Sequence, residues 1–420
     1  MRKKYIYIVL LSLLTLAGCV KEITPTELYQ GDGTTVDVSI PLHANGMEMR
    51  YNTKALDEQG ERNIQDIYVA FFPVSGTADS PVTGKKIFGG YYDFDSIQTV
   101  ASESGHSNAG CVSVKNIPTG AYYIVGIANV EYGAHKGLRA ALDAAETWEE
   151  MSDIAVTLRD DPAFPINVDR NTPALCMSGF YRDSNTQDKN ADPSITKPVP
   201  VRVERNGQLP GYIHLRRVDA HITFIVRNEI PNCKSFNMVS ARMFNVPKSS
   251  NLFEKDDDYS VEYINTEEKT NAWVYKPRVT DSIDPEKMYD SYVWNLYMME
   301  NTGNAQRPDG YDELATYRQR ELEYKNENGT NSTDDTGDRV YDYVYAPDNA
   351  AFLEFTASME QTLTEDGETF PRIANMKYVV HLGYCEGNTE AEKVKDFNNF
   401  RNTFFIIYII ILIMCIFYIY

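Results

Sequence analysis

Apolar and polar residues alternate along much of this chain with a period of two. Val36, Val38, Ile40 and Leu42 interleave with Asp37, Ser39 and Pro41. Successive strand side chains point to opposite faces, so this spacing predicts a strand with one buried face. A polar stretch from His43 to Asn63 follows, and a second strand is expected from Ile64 to Phe72, closed by Pro73 to Gly76. Lys86 to Phe94, Cys111 to Lys115 and Tyr122 to Val130 read as further strands. Asn116-Ile117-Pro118-Thr119-Gly120 joins the last two, its Pro and Gly supplying turn angles. The rhythm changes over Gly137 to Leu158. There Leu138, Ala141, Leu142, Ala145, Trp148 and Met151 fall at helical spacing and predict a core-facing stripe rather than a cofactor site.

Arg182 to Lys197 is polar and ends in a Pro-containing run, which predicts a domain boundary. Strand patterns resume over Tyr212 to Val218, His221 to Val226, Phe236 to Val246 and Tyr292 to Met299, and again at Val340 to Tyr345, Ala351 to Phe355 and Lys377 to Gly383. A charged stretch from Gln306 to Asp338 reads as a solvated loop or short helix. No repeat of 20–50 residues is visible. Many short strands with turns between them predict an all-β chain with one or two helices, built as β-sandwiches. The expected domains are residues 34–190 and 195–403.

Composition sharpens this picture. With 43% apolar residues the 420-residue chain can build ordinary cores, and 29 Tyr against 3 Trp suit pleated surfaces. The net charge is −20, and removing the three cations Arg2, Lys3 and Lys4 would leave −23. Such a field repels phosphate backbones, so a nucleic-acid partner is not expected.

Those three cations open a targeting pattern. Met1 to Lys4 form a basic start, Tyr5 to Leu14 an apolar core, and Leu16-Ala17-Gly18-Cys19 a small-residue cleavage site. The apolar core is short for a membrane span of about 20 residues. Residues 1–18 therefore read as a removable signal cut between Gly18 and Cys19. Leu-Ala-Gly-Cys resembles the bacterial lipobox, which implies acylation of Cys19 and attachment to outer-membrane lipid. Residues 19–33 are expected to form a flexible tether.

Chemistry-bearing patterns are absent from the sequence. His43, His106, His135, His214, His221 and His381 never pair as His-Glu-x-x-His. Ser178 lacks the preceding Gly-x of a nucleophile elbow. Asp256-Asp257-Asp258 lacks the glycine and terminal Glu of a calcium loop. Cys111, Cys176, Cys233 and Cys385 form no Cys-x-x-Cys pair and are expected to be mostly free and buried. No catalytic residue, metal or cofactor is nominated, and no enzyme is expected.

An ordered set of phrases resembles the fimbrillin-type lipoproteins of Bacteroidales, the subunits of type V pili. The phrases are Arg62 to Val69; Ile117 to Tyr123 leading to Ile127-Ala128-Asn129; Cys176-Met177-Ser178-Gly179; Leu215 to Ile222; Met299-Glu300-Asn301; Ala346 to Ala350; and Asp396 to Thr403. The resemblance spans about Thr34 to Thr403. It implies two transthyretin-like β-sandwich domains in tandem and assembly by strand exchange with other fimbrial subunits. An arginine-specific protease would remove Val36 to Leu42, with Arg50 the leading cut site and Arg62 the second. Both are otherwise ordinary surface arginines. A surface glycan-binding lipoprotein, with tyrosines as stacking platforms, is the alternative.

Phe404 to Tyr420 departs from the family's alternating last strand, having no charge and no turn residue. Three readings compete: a membrane segment, a strand buried by a partner, or an out-of-frame read of AT-rich sequence, with the last preferred. At about 1.5 Å per residue a helix of this length is marginal for a core of about 30 Å.

Overall fold

The computed structural model describes residues 27–44, 63–99, 109–133, 137–157, 163–165, 174–182, 196–254, 262–280, 288–302, 307–323, 343–365, 368–383, 389–413 and 416–418. The chain is mostly β, as the alternation predicts. Its first sheet has ten strands. Along its main path run Ser80–Thr83, Asp66–Thr77, Gly120–Ala128, Met177–Arg182, Tyr212–Arg217, Thr35–Ala44, Ala109–Pro118 and Gln98–Thr99.

The central strands of this sheet are buried on both faces, which explains why they read as apolar runs rather than clean alternation. In Asp66–Thr77, Ile67, Val69 and Phe71 enter one core while Tyr68, Ala70 and Phe72 enter another. The first core also takes Val38, Ile40 and Leu42 from the leading strand, Thr35–Ala44, and Val112 and Val114 from its neighbour. The second lies under two short helices, Leu138–Ala144 and Trp148–Ser152.

These helices replace the single helix expected over Gly137 to Leu158. The apolar stripe is real: Leu138, Leu142, Ala145 and Met151 are all buried. The break comes from Thr147, whose hydroxyl accepts from the Glu150 amide at 3.2 Å while the Glu150 carboxylate accepts from the Thr147 amide at 3.3 Å. That capping box starts a new helix. Trp148 packs edge-on to Phe180 and Phe253, with centroids 5.5 and 5.1 Å away.

The second half is a sandwich. A six-stranded sheet runs Val274–Thr280, Met288–Met299, Asp219–Asn228, Phe404–Ile413 and Ile416–Tyr418, with Ala163–Pro165 also paired to Met288–Met299. It packs on a three-stranded sheet of Cys233–Phe244, Phe352–Glu365 and Glu368–His381. Phe224, Trp294 and Leu296 from one sheet meet Met243, Leu353 and Phe355 from the other in one core.

The polar segment near residue 190 does not divide the sheets. Val201–Val203 and Tyr212–Arg217 both pair within the first sheet. The chain changes sheet at the fully buried Val218, one residue before Asp219–Asn228. In sheet membership the second half thus begins at Asp219, not at residue 195. The change of sheet needs only a one-residue corner, which leaves no mark in sequence polarity.

Part of the apolar tail is seated within the chain itself, rather than as a membrane helix or against a partner. Phe404–Ile413 is a strand, hydrogen-bonded parallel to Asp219–Asn228 of its own chain from His221↔Phe404 to Asn228↔Ile411. Phe405, Ile407, Ile409 and Ile411 are buried in the sandwich core, while Ile406, Tyr408 and Ile410 lie half-buried on the opposite face. A run of Ile, Phe, Tyr and Leu conceals this period of two, because both faces carry apolar side chains. No helix among the described residues is long and apolar enough to cross a membrane.

Candidate functional site

The leading strand, Thr35–Ala44, is the element whose placement bears most on function. Its alternation puts Val38, Ile40, Leu42 and Ala44 into the core, none more than 2% exposed. Ser39 faces the neighbouring strand, its hydroxyl 2.8 Å from the Cys111 thiol. The strand pairs antiparallel with Ala109–Pro118, from Thr35↔Pro118 to His43↔Ala109. On its other side it pairs in parallel with Tyr212–Arg217, through Leu42↔Ile213, His43↔His214 and Ala44↔Leu215 only.

Both partners come from later in the sequence, so no hairpin holds the strand in place. Three strands separate it in the sheet from Asp66–Thr77, the next long strand along the chain. Before Leu42 its second edge borders a groove of about 810 Å³, lined by Ser39, Pro41, Tyr181, Arg202, Gly207 and Leu209 among others. Pro41 lacks an N–H and stands just where the parallel pairing has not yet begun. Burying Val38, Ile40 and Leu42 stabilises the fold by about 1.5–3 kcal/mol each. That sum is comparable with a whole domain's net stability of about 5–15 kcal/mol.

The segment before the strand is fastened rather than free. Glu27 bridges Thr77, and the Leu28 amide donates to the Gly76 carbonyl at 2.9 Å. The Asp32 carboxylate accepts from Arg205 Nε at 2.7 Å and from the Thr119 hydroxyl at 2.9 Å. These bonds, Arg205's foremost, hold the Asp32 carboxyl well below the usual carboxylate range. Gly31, at φ +68°, lies so close to the Thr119 carbonyl that a β-carbon would clash there. The expectation of a flexible tether thus fails from Glu27 onward. Gly18, Cys19, Arg50 and Arg62 lie outside the described residues.

A second locus was hidden in the sequence because its members are far apart. Arg401 and Glu300 form a buried ion pair, with Arg401 Nη2 to Glu300 Oε2 at 2.7 Å and each side chain 3% exposed. Arg401 Nη1 donates to the Leu252 carbonyl at 3.1 Å, which also accepts from the Ser178 hydroxyl. Asn301 and Asn399 exchange two backbone hydrogen bonds at 2.8 and 2.9 Å. The Asn402 amide donates to the Asp219 carbonyl at 2.6 Å, and its side-chain oxygen accepts from the Arg217 amide at 3.2 Å. Phrases around residues 178, 217–219, 300 and 401 thus meet where the two halves join. Charged and amide groups satisfying backbone atoms there make a structural joint.

The remaining singled-out residues stay scattered. Among the described residues no group of His, Cys, Asp and Glu converges as a metal set. Cys111, Cys176 and Cys233 are free thiols, the first two buried and the third half-buried, and Cys385 lies outside the described residues. Burial pushes the Cys176 thiol far up, which leaves it neutral and inert. His43 and His214 share a ring cluster with Tyr212, His43 lying 5.2 Å from the tyrosine ring. Tyr132 and Tyr275 are each about half exposed.

No family model matches the sequence, and no curated protein matches it. Several solved structures are similar to the chain. A candidate cell adhesion protein from Parabacteroides distasonis is 14% identical, with a TM-score of 0.44 over 91% of this chain and 94% of that one. The C-terminally truncated tip fimbrial protein Mfa3 from Porphyromonas gingivalis is 12% identical, with a TM-score of 0.40 over 92% and 99%. The fimbrial anchor protein Mfa2 from the same organism is 10% identical, with a TM-score of 0.31 over 63% and 73%.

Proposed function

We propose that this chain is a non-enzymatic surface lipoprotein serving as a structural or accessory subunit of a type V-like fimbrium, assembled by strand exchange and contributing to adhesion. In this reading Cys19 carries acyl chains in the outer membrane, and cleavage after Arg50 or Arg62 frees the leading strand. Two tandem transthyretin-like sandwiches then present the emptied seat to a strand from a neighbouring subunit.

The observation that carries the reading is the leading strand itself. It fills the core with Val38, Ile40 and Leu42, yet no hairpin ties it to its neighbours. A strand so placed leaves a matching row of apolar pockets when it departs, and backbone groups on both flanks ready to pair.

The test is the surface form of the protein in cells expressing the gene. Mass spectrometry is expected to find an acylated Cys19 on the uncut chain, or a new N-terminus after Arg50 or Arg62 on chains in detergent-resistant ladders. A surface protein that is always monomeric, with no fimbrial partner in pull-downs, would overturn the reading.

A further inference from the structure

In the second half, beside the Asn301–Asn399 pairing of the joint, lies a small polar cavity of about 170 Å³. Arg307, Tyr311, Lys395 and the amides of Asn301, Asn349 and Asn398 are among its lining residues. The Arg307 guanidinium stands over the Tyr311 ring, 4.3 Å from its centre. Lys395 is held from two sides: its Nζ donates to the Asp312 carbonyl at 2.9 Å, and its own carbonyl accepts from the Tyr311 hydroxyl at 2.6 Å. Two cations thus border one cavity in a chain whose net charge is −20.

Asn349 supplies the complementary feature. Its Nδ2 donates to the Tyr263 hydroxyl at 2.9 Å, and its backbone carbonyl accepts from Asn301 Nδ2 at 3.1 Å. Its side-chain oxygen is buried and accepts no hydrogen bond. A buried acceptor in that state is costly, and a donor brought by a ligand would relieve it.

We propose that this cavity binds a sugar residue bearing a carboxylate, the chemistry of a hexuronic acid. Arg307 and Lys395 would take the carboxylate, since an arginine fork and an ammonium both suit that group. A ligand hydroxyl would donate to Asn349 Oδ1. Acetate satisfies the cations but brings no donor to that oxygen, phosphate brings a hydroxyl but no ring to fill the cavity, and a neutral sugar brings the cations no counter-charge. The cavity is smaller than the ~300–1,000 Å³ of sites for larger ligands, which limits the occupant to one small ring. The Tyr311 ring is covered by the cations, so stacking on it plays no part.

Calorimetric titration of the full mature chain with sodium glucuronate, glucose, acetate and inorganic phosphate tests this. Saturable binding is expected for glucuronate and none for glucose, with acetate and phosphate weaker than glucuronate. Arg307 is exposed, so Arg307→Gln should leave thermal unfolding unchanged while weakening glucuronate about tenfold or more, the loss of one hydrogen bond to a charged group. Lys395→Gln provides an independent second variant with the same expected direction. Absence of glucuronate binding, equal binding of glucose or phosphate, or affinity unchanged in both variants would each overturn the proposal. None of these outcomes bears on strand exchange, which uses the opposite half of the chain.

Discussion

Arg401 and Glu300 meet inside the protein at 2.7 Å, and the Arg401 amide also donates to the second Glu300 oxygen at 3.3 Å. A buried charge stripped of its partner is strongly destabilising, so Glu300→Ala should cost about 3–5 kcal/mol in urea unfolding. Loss of less than about 1 kcal/mol would show that the joint between the halves does not depend on this pair.

The closing strand makes a prediction about faces. Ile409 is fully buried and Ile410 half-buried. Ile409→Ala should cost about 2–5 kcal/mol, while Ile410→Ala should stay below about 1 kcal/mol. Equal effects at both sites, read from chemical denaturation, would contradict a strand seated against the sandwich core.

Asp32 gives a pH test with a definite sign. Its folded carboxyl is held below the ordinary value of 3.8, first by Arg205 and then by the Thr34 amide and hydroxyl and the Thr119 hydroxyl. A depressed carboxyl contributes stability above its unfolded value, and that contribution is lost as pH falls below 3.8 toward the folded value. The pair is exposed, so its effect is local fastening rather than global stability. Carbon-detected NMR should find the Asp32 carboxylate untitrated down to pH about 3, and Arg205→Ala should bring the midpoint back up. A midpoint near the ordinary value in the unaltered chain would refute the fastening.

Cys111 reports on the leading strand. Its thiol is buried and lies 2.8 Å from the Ser39 hydroxyl. In intact protein carrying Cys233→Ser, maleimide labelling mapped by mass spectrometry should be slow at Cys111. Displacing the strand should accelerate it by orders of magnitude, because exposure controls access to the thiolate. Fast labelling with the strand still in place would contradict the packing.

How far the sequence revealed this structure depended on whether local patterns coincided with tertiary roles. Val36 to Leu42 was legible because one of its faces meets the core and the other does not. Phe404 to Ile413 was not, since its outer face is as apolar as its inner one and periodicity vanishes. The helical stripe from Leu138 to Met151 was visible, but the capping by Thr147 that cuts it in two is a four-residue signal inside a longer pattern. The change of sheet at Val218 leaves no compositional mark. Arg401 and Glu300 are separated by a hundred residues of chain, and each alone reads as an ordinary surface charge; only the fold brings them together.

The proposed strand exchange requires the Thr35–Ala44 seat to accept a strand in trans. The direct measurement mixes protein cut after Arg50 with a biotinylated peptide of the sequence Thr35 to Ala44 and follows capture on denaturing gels. Stable one-to-one capture is predicted, together with failure of a peptide carrying Ile40→Asp, because Ile40 is fully buried in the seat. No capture of the native peptide, or equal capture of both, would contradict the account.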